Sequence, residues 1–311
     1  MDGDRALQLA LRSQRLLAAA GGADALRRMH ANIDDDWLEV GGRRIHVDRH
    51  RCENPRATIV FQPGSGSYGR FYFVLGGLLA RHGYRMLAID RPGHGASDGP
   101  RGDCTVPEAL DVAAAVVAQA RSASNRPVVL MGSSLGGLLT VFGMLAGIDA
   151  DAAVAHNFVY PGKLASMRLR ARWIARHRRA PYPLAELVHG FDRLSADSAI
   201  SEYLRAADDP LAAWQLTPRS VASLFGYRAA PAARRPARAP WTLLVSGTRD
   251  AAIPAWATRL FGWWAAPRPY DVQLLAGAGH LLFHDELPRS VPPIVQWLDR
   301  RLPAAALGGS A

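Results

Sequence analysis

The feature that most constrains this chain is Gly132-Ser133-Ser134-Leu135-Gly136, a GxSxG pentapeptide. An apolar run at 128–131 precedes it and a helix-like run at 138–146 follows. Strand, sharp turn and helix in that order make an elbow. It holds the central serine in a strained backbone conformation and lifts its hydroxyl clear of the sheet edge. Only very small residues fit two places either side, because strand and helix nearly touch there. The pattern points to Ser134 as a nucleophile rather than an ordinary surface serine. Gly95-Ala96-Ser97-Asp98-Gly99 has the same spacing, but Pro100 and Gly102 follow it and no strand leads directly into it. No helix starts there, so Ser97 is set aside.

Around the elbow, strand-like and helix-like runs alternate. Residues 37–40 and 44–47 flank Gly41-Gly42, a hairpin signal. Strands are expected at 58–61, 85–89 and 151–158, and helices at 5–29 (broken near Gly21-Gly22), 70–81 and 106–120. The rhythm fails over 160–238, which has helix-like patches, no clear strand and many Arg and Pro, and ends in a Pro/Ala/Arg linker at 231–240. It resumes with strands at 241–246 and 271–275 and helices at 254–264 and 288–301. The fold class is α/β, with a mostly parallel, doubly wound sheet. The expected division is a core of 1–159 and 239–302, an inserted helical cap of 160–238, and a loose tail of 303–311.

A serine hydroxyl needs a base, and the base needs an orienting group. In a doubly wound sheet both belong on loops beyond strand C-termini. Asp250 follows the strand at 241–246, and His280 follows the strand at 271–275 on the loop Ala276-Gly-Ala-Gly-His280. The chain order Ser134, Asp250, His280 is that of nucleophile-elbow enzymes. The competing reading of Asp250 is a turn or helix-cap aspartate, and that of His280 a satisfied structural histidine; both stand behind the acid and base roles. His284 is the rival base, inside the following segment. An oxyanion hole needs two amide donors. Leu135 supplies one, and the loop Gln62-Pro63-Gly64-Ser65-Gly66-Ser67 the other, through Ser65 or, one residue away, Gly64. That loop lacks the lysine and spacing of a phosphate-cradling P-loop.

With elbow, acid and base assembled, the chain resembles the α/β-hydrolase superfamily, and within it the monoacylglycerol lipase/lysophospholipase-type branch. The loop Asp90-Arg-Pro-Gly-His-Gly-Ala-Ser-Asp-Gly-Pro-Arg-Gly102 is similar to that branch's loop after the fourth strand. The resemblance spans residues 40–158 and 241–302, and the cap does not match. It implies serine hydrolysis of carboxylic esters through an acyl-enzyme, with no cofactor and no metal. Ser134 would be nucleophile, Asp250 orienting acid, His280 base, and Leu135 and Ser65 oxyanion donors. His94, in the matching loop, receives no chemical role. The chain departs from the family at Gln62-Pro63-Gly64, where His-Gly is usual before the oxyanion residue. Acyl transfer and thioester hydrolysis use the same triad, and a non-catalytic binding protein would be expected to break it.

Composition narrows the rest. The 311 residues are 49% hydrophobic and 21% charged, ordinary for a globule. There are only two cysteines, Cys52 and Cys104, which excludes a disulfide framework, and neither has metal-ligand spacing. Residues 127–148 carry no charge and are long enough to span a bilayer, but the β-like start and many glycines assign them to the elbow. The N-terminus shows no leader, so the expected location is cytoplasmic, with peripheral contact. Net charge is +10, and Lys163 is the only lysine. Between residues 152 and 185 there is no acid. On a helix, Arg168, Arg172, Arg176 and Arg179 share one side and Leu164, Met167, Ala171 and Ile174 another. This basic amphipathic helix is either a solvated cap face or a contact for anionic lipid or acidic substrate. No nucleic-acid module accompanies the charge, so the expected partner is a small acyl ester.

Overall fold

The computed structural model describes residues 4–157, 160, 164–188, 190–228 and 240–302. Strands β1 (Ile33–Val40), β2 (Arg43–His50), β3 (Ala57–Gln62), β4 (Tyr84–Ile89), β5 (Val128–Ser133) and β6 (Ala152–His156) precede a short pair, β7 (Tyr182–Pro183) and β8 (Gln215–Leu216). Strands β9 (Trp241–Gly247) and β10 (Tyr270–Leu275) close the series. Eight strands form one sheet in the order β1-β2-β4-β3-β5-β6-β9-β10. The β1–β2 and β2–β4 pairs are antiparallel and the others parallel. The β1–β2 hairpin turns at Gly41 and Gly42, both at positive φ.

Side-chain alternation explains why helices cover both faces. Ile59 and Phe61 of β3, Val129 and Met131 of β5 and Leu243 and Val245 of β9 point to one side. There they meet the helices Phe73–Arg81 and Leu287–Arg301. Val60, Val128, Leu130 and Leu244 point to the other, against the helices Val106–Ala123, Leu135–Ala146 and Ala255–Ala265. Thr105 starts the first of these three with a reciprocal capping box to Glu108. The charge-free stretch at 127–148 is β5, the elbow and the helix Leu135–Ala146. Among the described residues no helix is long and apolar enough to cross a membrane.

Several expectations are corrected. The N-terminal helical stretch breaks at Ser13 as well as near Gly21. The Ser13 hydroxyl accepts the Leu16 amide and donates to Asp197, so it starts a new helix instead of continuing the old one. The elbow helix begins at Leu135 rather than 138, because weak helix formers Gly136 and Gly137 are recruited by packing. The segment expected to lack strands contains the β7–β8 pair. The basic helix is Ala165–His177, and Arg179 lies beyond its end. Arg178 there leaves the helix to lie 3.7 Å over the Tyr182 ring. Ala171 and Ile174 are buried as expected, whereas Leu164, at the N-cap, is exposed. Phe158, Lys163, the linker residues 231–239 and the tail 303–311 lie outside the described residues.

The segment between β6 and β9 rests on loops that follow the parallel strands. The Ala213 amide donates to Gly66 O (2.7 Å), Thr217 N to Gly102 O (3.2 Å) and Gly95 N to Leu211 O (2.9 Å). A side chain at Gly66 would collide with Leu184 and the Ala213 carbonyl, so this contact needs glycine there.

Candidate active site

Ser134 sits between β5 and the helix Leu135–Ala146 with φ 54° and ψ −114°. A non-glycine residue in this region is strained and is held by its surroundings. The Ser134 amide donates to His156 O (2.9 Å), which ties the turn to the next strand. A Cβ at Gly132 would stand 2.1 Å from Gly136 O, one at Gly136 1.8 Å from Gln62 O, and one at Gly137 2.3 Å from His156 O. The small residues are therefore a steric requirement of the elbow, as its sequence suggests.

His280 Nε2 lies 3.2 Å from Ser134 Oγ, and His280 Nδ1 lies 2.9 Å from Asp250 Oδ2. A carboxylate can only accept, so Nδ1 carries the proton and Nε2 presents its lone pair to the serine hydroxyl. Asp250 Oδ1 accepts the Ala252 and Ile253 amides, both at 2.8 Å. The aspartate is thus a turn residue and the partner of His280 at once. Asp250 and His280 are buried, and Ser134 is half-buried. The two loops meet because Gly247 has no side chain: a Cβ there would lie 2.3 Å from Ala278 O. Arg249 N donates to Ala278 O (2.9 Å) and Thr248 N to Leu275 O (3.0 Å) across the same junction.

The loop after β3 passes beside Ser134. A Cβ built on Gly64 would be 3.7 Å from Ser134 Cβ. The Gly64 amide donates to the Tyr72 hydroxyl (3.1 Å), whereas the Ser65 amide finds no acceptor among the described residues. Leu135 is the first residue of its helix, so its amide has no intrahelical partner. The helix N-terminus adds positive potential at the same place.

Three residues near this geometry were not singled out from the sequence. Buried Arg91 donates to Pro63 O (2.6 Å) and Gly64 O (2.7 Å), which pins the loop after β3. Asn157, at φ 54°, donates through Nδ2 to His280 O (2.8 Å). Tyr72 holds the Gly64 amide and also bonds Ser133, whose Oγ lies 3.0 Å from His156 Nδ1. Arg91 stood inside the noticed loop, and Asn157 inside the strand expected at 151–158, one residue past where β6 ends. Tyr72 carried no sequence signal. Burial holds His156 well below the ordinary imidazole range, with the charges of His280 and His284 acting the same way.

The rivals fall elsewhere. His284 Nε2 meets Phe71 O (3.2 Å), and burial lowers its pKa to about 4. The Ser97 hydroxyl donates to Asp90 O and accepts the His46 amide. His94 bonds Pro92 O, and burial, then Arg91, lowers it to about 3. Two small apolar cavities reach residues of this geometry. One of about 30 Å³ touches Leu135, Leu139 and Leu216, and one of about 40 Å³ touches Ser65, Leu184 and Trp214. A far larger groove, about 990 Å³, is lined by Arg28, Arg51, Arg81 and Arg85. It lies at the opposite end of the strands from Ser134, so size does not mark the site.

The model of the Alpha/beta hydrolase family matches residues 59–291. No curated protein sequence matches the chain. Among solved structures, the chain is similar to a monoacylglycerol lipase from Paleococcus ferrophilus, at 24% identity over 82% of this chain and 99% of that one, with a TM-score of 0.66. A soluble variant of monoglyceride lipase from Saccharomyces cerevisiae, in complex with a substrate analog, shares 16% identity over 87% and 96%, with a TM-score of 0.71. The alpha/beta hydrolase GrgF from Penicillium sp. sh18 shares 15% over 87% and 99%, with a TM-score of 0.70. These identities speak for the fold alone. The family match covers most of the chain and takes in the elbow, Asp250 and His280, and on that ground the chain belongs to the alpha/beta hydrolase family.

Proposed function

We propose that the protein is a serine hydrolase of carboxylic acyl esters. The observation that carries this reading is the hydrogen-bonded line from Ser134 Oγ through His280 to Asp250. In the proposed reaction Ser134 Oγ attacks the ester carbonyl carbon while His280 Nε2 takes the hydroxyl proton. Asp250 keeps the proton on Nδ1 and stabilises the imidazolium. The Leu135 and Ser65 amides receive the developing oxyanion. The free Ser65 amide favours it over Gly64, whose N–H is engaged by Tyr72. Collapse of the tetrahedral species breaks the C–O bond to the alcohol, which leaves with the proton from His280. Water, deprotonated by His280, then attacks the acyl-Ser134 ester, and the carboxylic acid departs. No step calls for a cofactor or metal.

Residues 160–238 act in this reading as a cap over the loops that follow the strands. The substrates proposed first are monoacylglycerols, since two of the structurally similar proteins are named as lipases of monoglycerides, with lysophospholipids beside them on the sequence resemblance alone. The test is hydrolysis of an ester panel, from short aryl esters to monoacylglycerols and lysophospholipids, by wild type and Ser134→Ala. The expected result is activity that disappears in the variant. Activity that persists would remove Ser134 from its assigned role. Alcohol acceptors added to the assay would reveal transfer to an acceptor other than water.

A further inference from the structure

The helix Ala255–Ala265 buries Ala257, Phe261 and Ala265 against the core and turns Trp256, Leu260 and Trp263 outward. These three are 66%, 44% and 66% exposed, and their i, i+4, i+7 spacing makes one continuous stripe. The cap helix Ala165–His177 exposes Leu169 (65%) and Trp173 (56%). The two helices belong to one flank. Ala171 of the cap helix packs at Gly226, while Leu224 and Tyr227 join the same apolar cluster as Ala257 and Phe261. Soluble monomers seldom leave large apolar side chains so grouped unless something covers them.

Charge identifies the cover. Residues 164–182, 218–228 and 254–270, which build this flank, contain ten arginines and not one of the chain's 27 acidic residues. Arg172, Arg176 and Arg259 are exposed and make no ion pair among the described residues. A second copy of the chain would set arginine against arginine. Arg219 pairs with Asp103 and Glu108 beside this flank, but a surface so rich in arginine and tryptophan and so poor in acid matches the boundary between lipid headgroups and acyl chains. We infer that this flank docks on an anionic bilayer, and that the stripe Trp256-Leu260-Trp263 on a core helix, not the cap helix alone, is the part that inserts. Trp256 lies six positions after Asp250, in the first turn of the helix that follows the Asp250 loop. The inference stands independently of the hydrolase reading.

The test is co-sedimentation of the full chain, as Ser134→Ala to prevent lipid turnover, with two kinds of vesicle. One kind is phosphatidylcholine alone, and the other an equimolar mixture with phosphatidylglycerol. The protein should bind the anionic vesicles preferentially. Replacing Trp256, Leu260 and Trp263 together by Ser should weaken that binding by about tenfold or more at an unchanged melting temperature. A second variant, with Arg172, Arg176 and Arg259 each changed to Gln, should remove the preference for phosphatidylglycerol while leaving weak apolar binding. No sedimentation of the parent protein with either vesicle would overturn the inference, as would binding that both variants leave intact. A dimer in buffer that the Trp/Leu variant converts to monomer would assign the stripe to a second copy instead.

Discussion

At the scale of single residues, the elbow carries a stability effect as well as chemistry. Ser134 is held at φ 54° and ψ −114°, a conformation that costs a side-chain-bearing residue about 1–3 kcal/mol. Ser134→Gly removes that strain and Ser134→Ala does not, while glycine gives back about 0.5–1 kcal/mol through chain entropy. Urea unfolding should therefore find Ser134→Gly more stable than Ser134→Ala by about 1 kcal/mol, with both inactive. Equal stabilities would mean that the turn is not strained. Tyr72 gives a second expectation. Tyr72→Phe leaves the buried Gly64 amide without its acceptor and loosens the loop that presents Ser65. The expected result is a kcat lower by about tenfold with KM little changed, because the hole acts on the transition state. A change confined to KM would contradict that role. Ser134, Asp250 and His280 were legible because each sits at a fixed place relative to a strand that its own apolar run announces. Tyr72, Arg91 and Asn157 were not, since their partners are set by the folded loops and no motif spacing encodes them.

At the scale of elements, the candidate site depends on close backbone approaches that glycine alone allows. Gly247 is the clearest case, because it lets the Asp250 loop lie against the His280 loop. Gly247→Val should separate Asp250 from His280 and lower kcat by about a hundredfold or more. It should also destabilise the fold by a few kcal/mol. Near-normal kcat in a folded Gly247→Val protein would show that the two loops need not touch. The six parallel strands were read from sequence to within a residue or two, because each is a short apolar run with a turn signal beside it, whereas the antiparallel β1 and β2 run three to four residues past their expected ends. Helix boundaries were harder. Ser13 stops one helix by capping the next, and Gly136-Gly137 conceal a helix start that packing enforces. The two-residue strands β7 and β8 are too short for any alternation to reveal.

At the scale of the whole molecule, histidine protonation sets how stability varies with pH. His46 is buried, which by itself would disfavour its charged form. Asp90 at 2.8 Å, nearby Asp48 and Asp35 at 2.9 Å outweigh that, and its pKa rises from 6.5 to about 9. The stabilisation this gives is full below pH 6.5 and is lost as pH rises toward 9. His50 and His94, pushed to about 3 by burial, and His284, at about 4, behave oppositely, as does His156. They are neutral in the fold and gain protons on unfolding, so their effect is lost as pH falls below 6.5. Asp48, raised to about 6 chiefly by burial, offsets one of these protons, and Asp285, also raised chiefly by burial, offsets part of another, so three is an upper bound on the net. The urea midpoint should peak near pH 6.5 and fall on both sides. The acid side should be steeper, at up to about 4 kcal/mol per pH unit for three net protons. A midpoint that stays flat from pH 4.5 to 9 would contradict this assignment.

Covalent capture tests the central claim most directly. A fluorophosphonate reacts with an activated serine by losing fluoride and leaving a stable phosphonyl ester on Oγ. Intact-mass and peptide analysis should find one adduct per chain, on the peptide carrying Ser134. It should be absent from Ser134→Ala and strongly slowed in His280→Ala. An adduct on Ser97 or any other residue, or ester hydrolysis with no adduct at Ser134, would contradict the assignment.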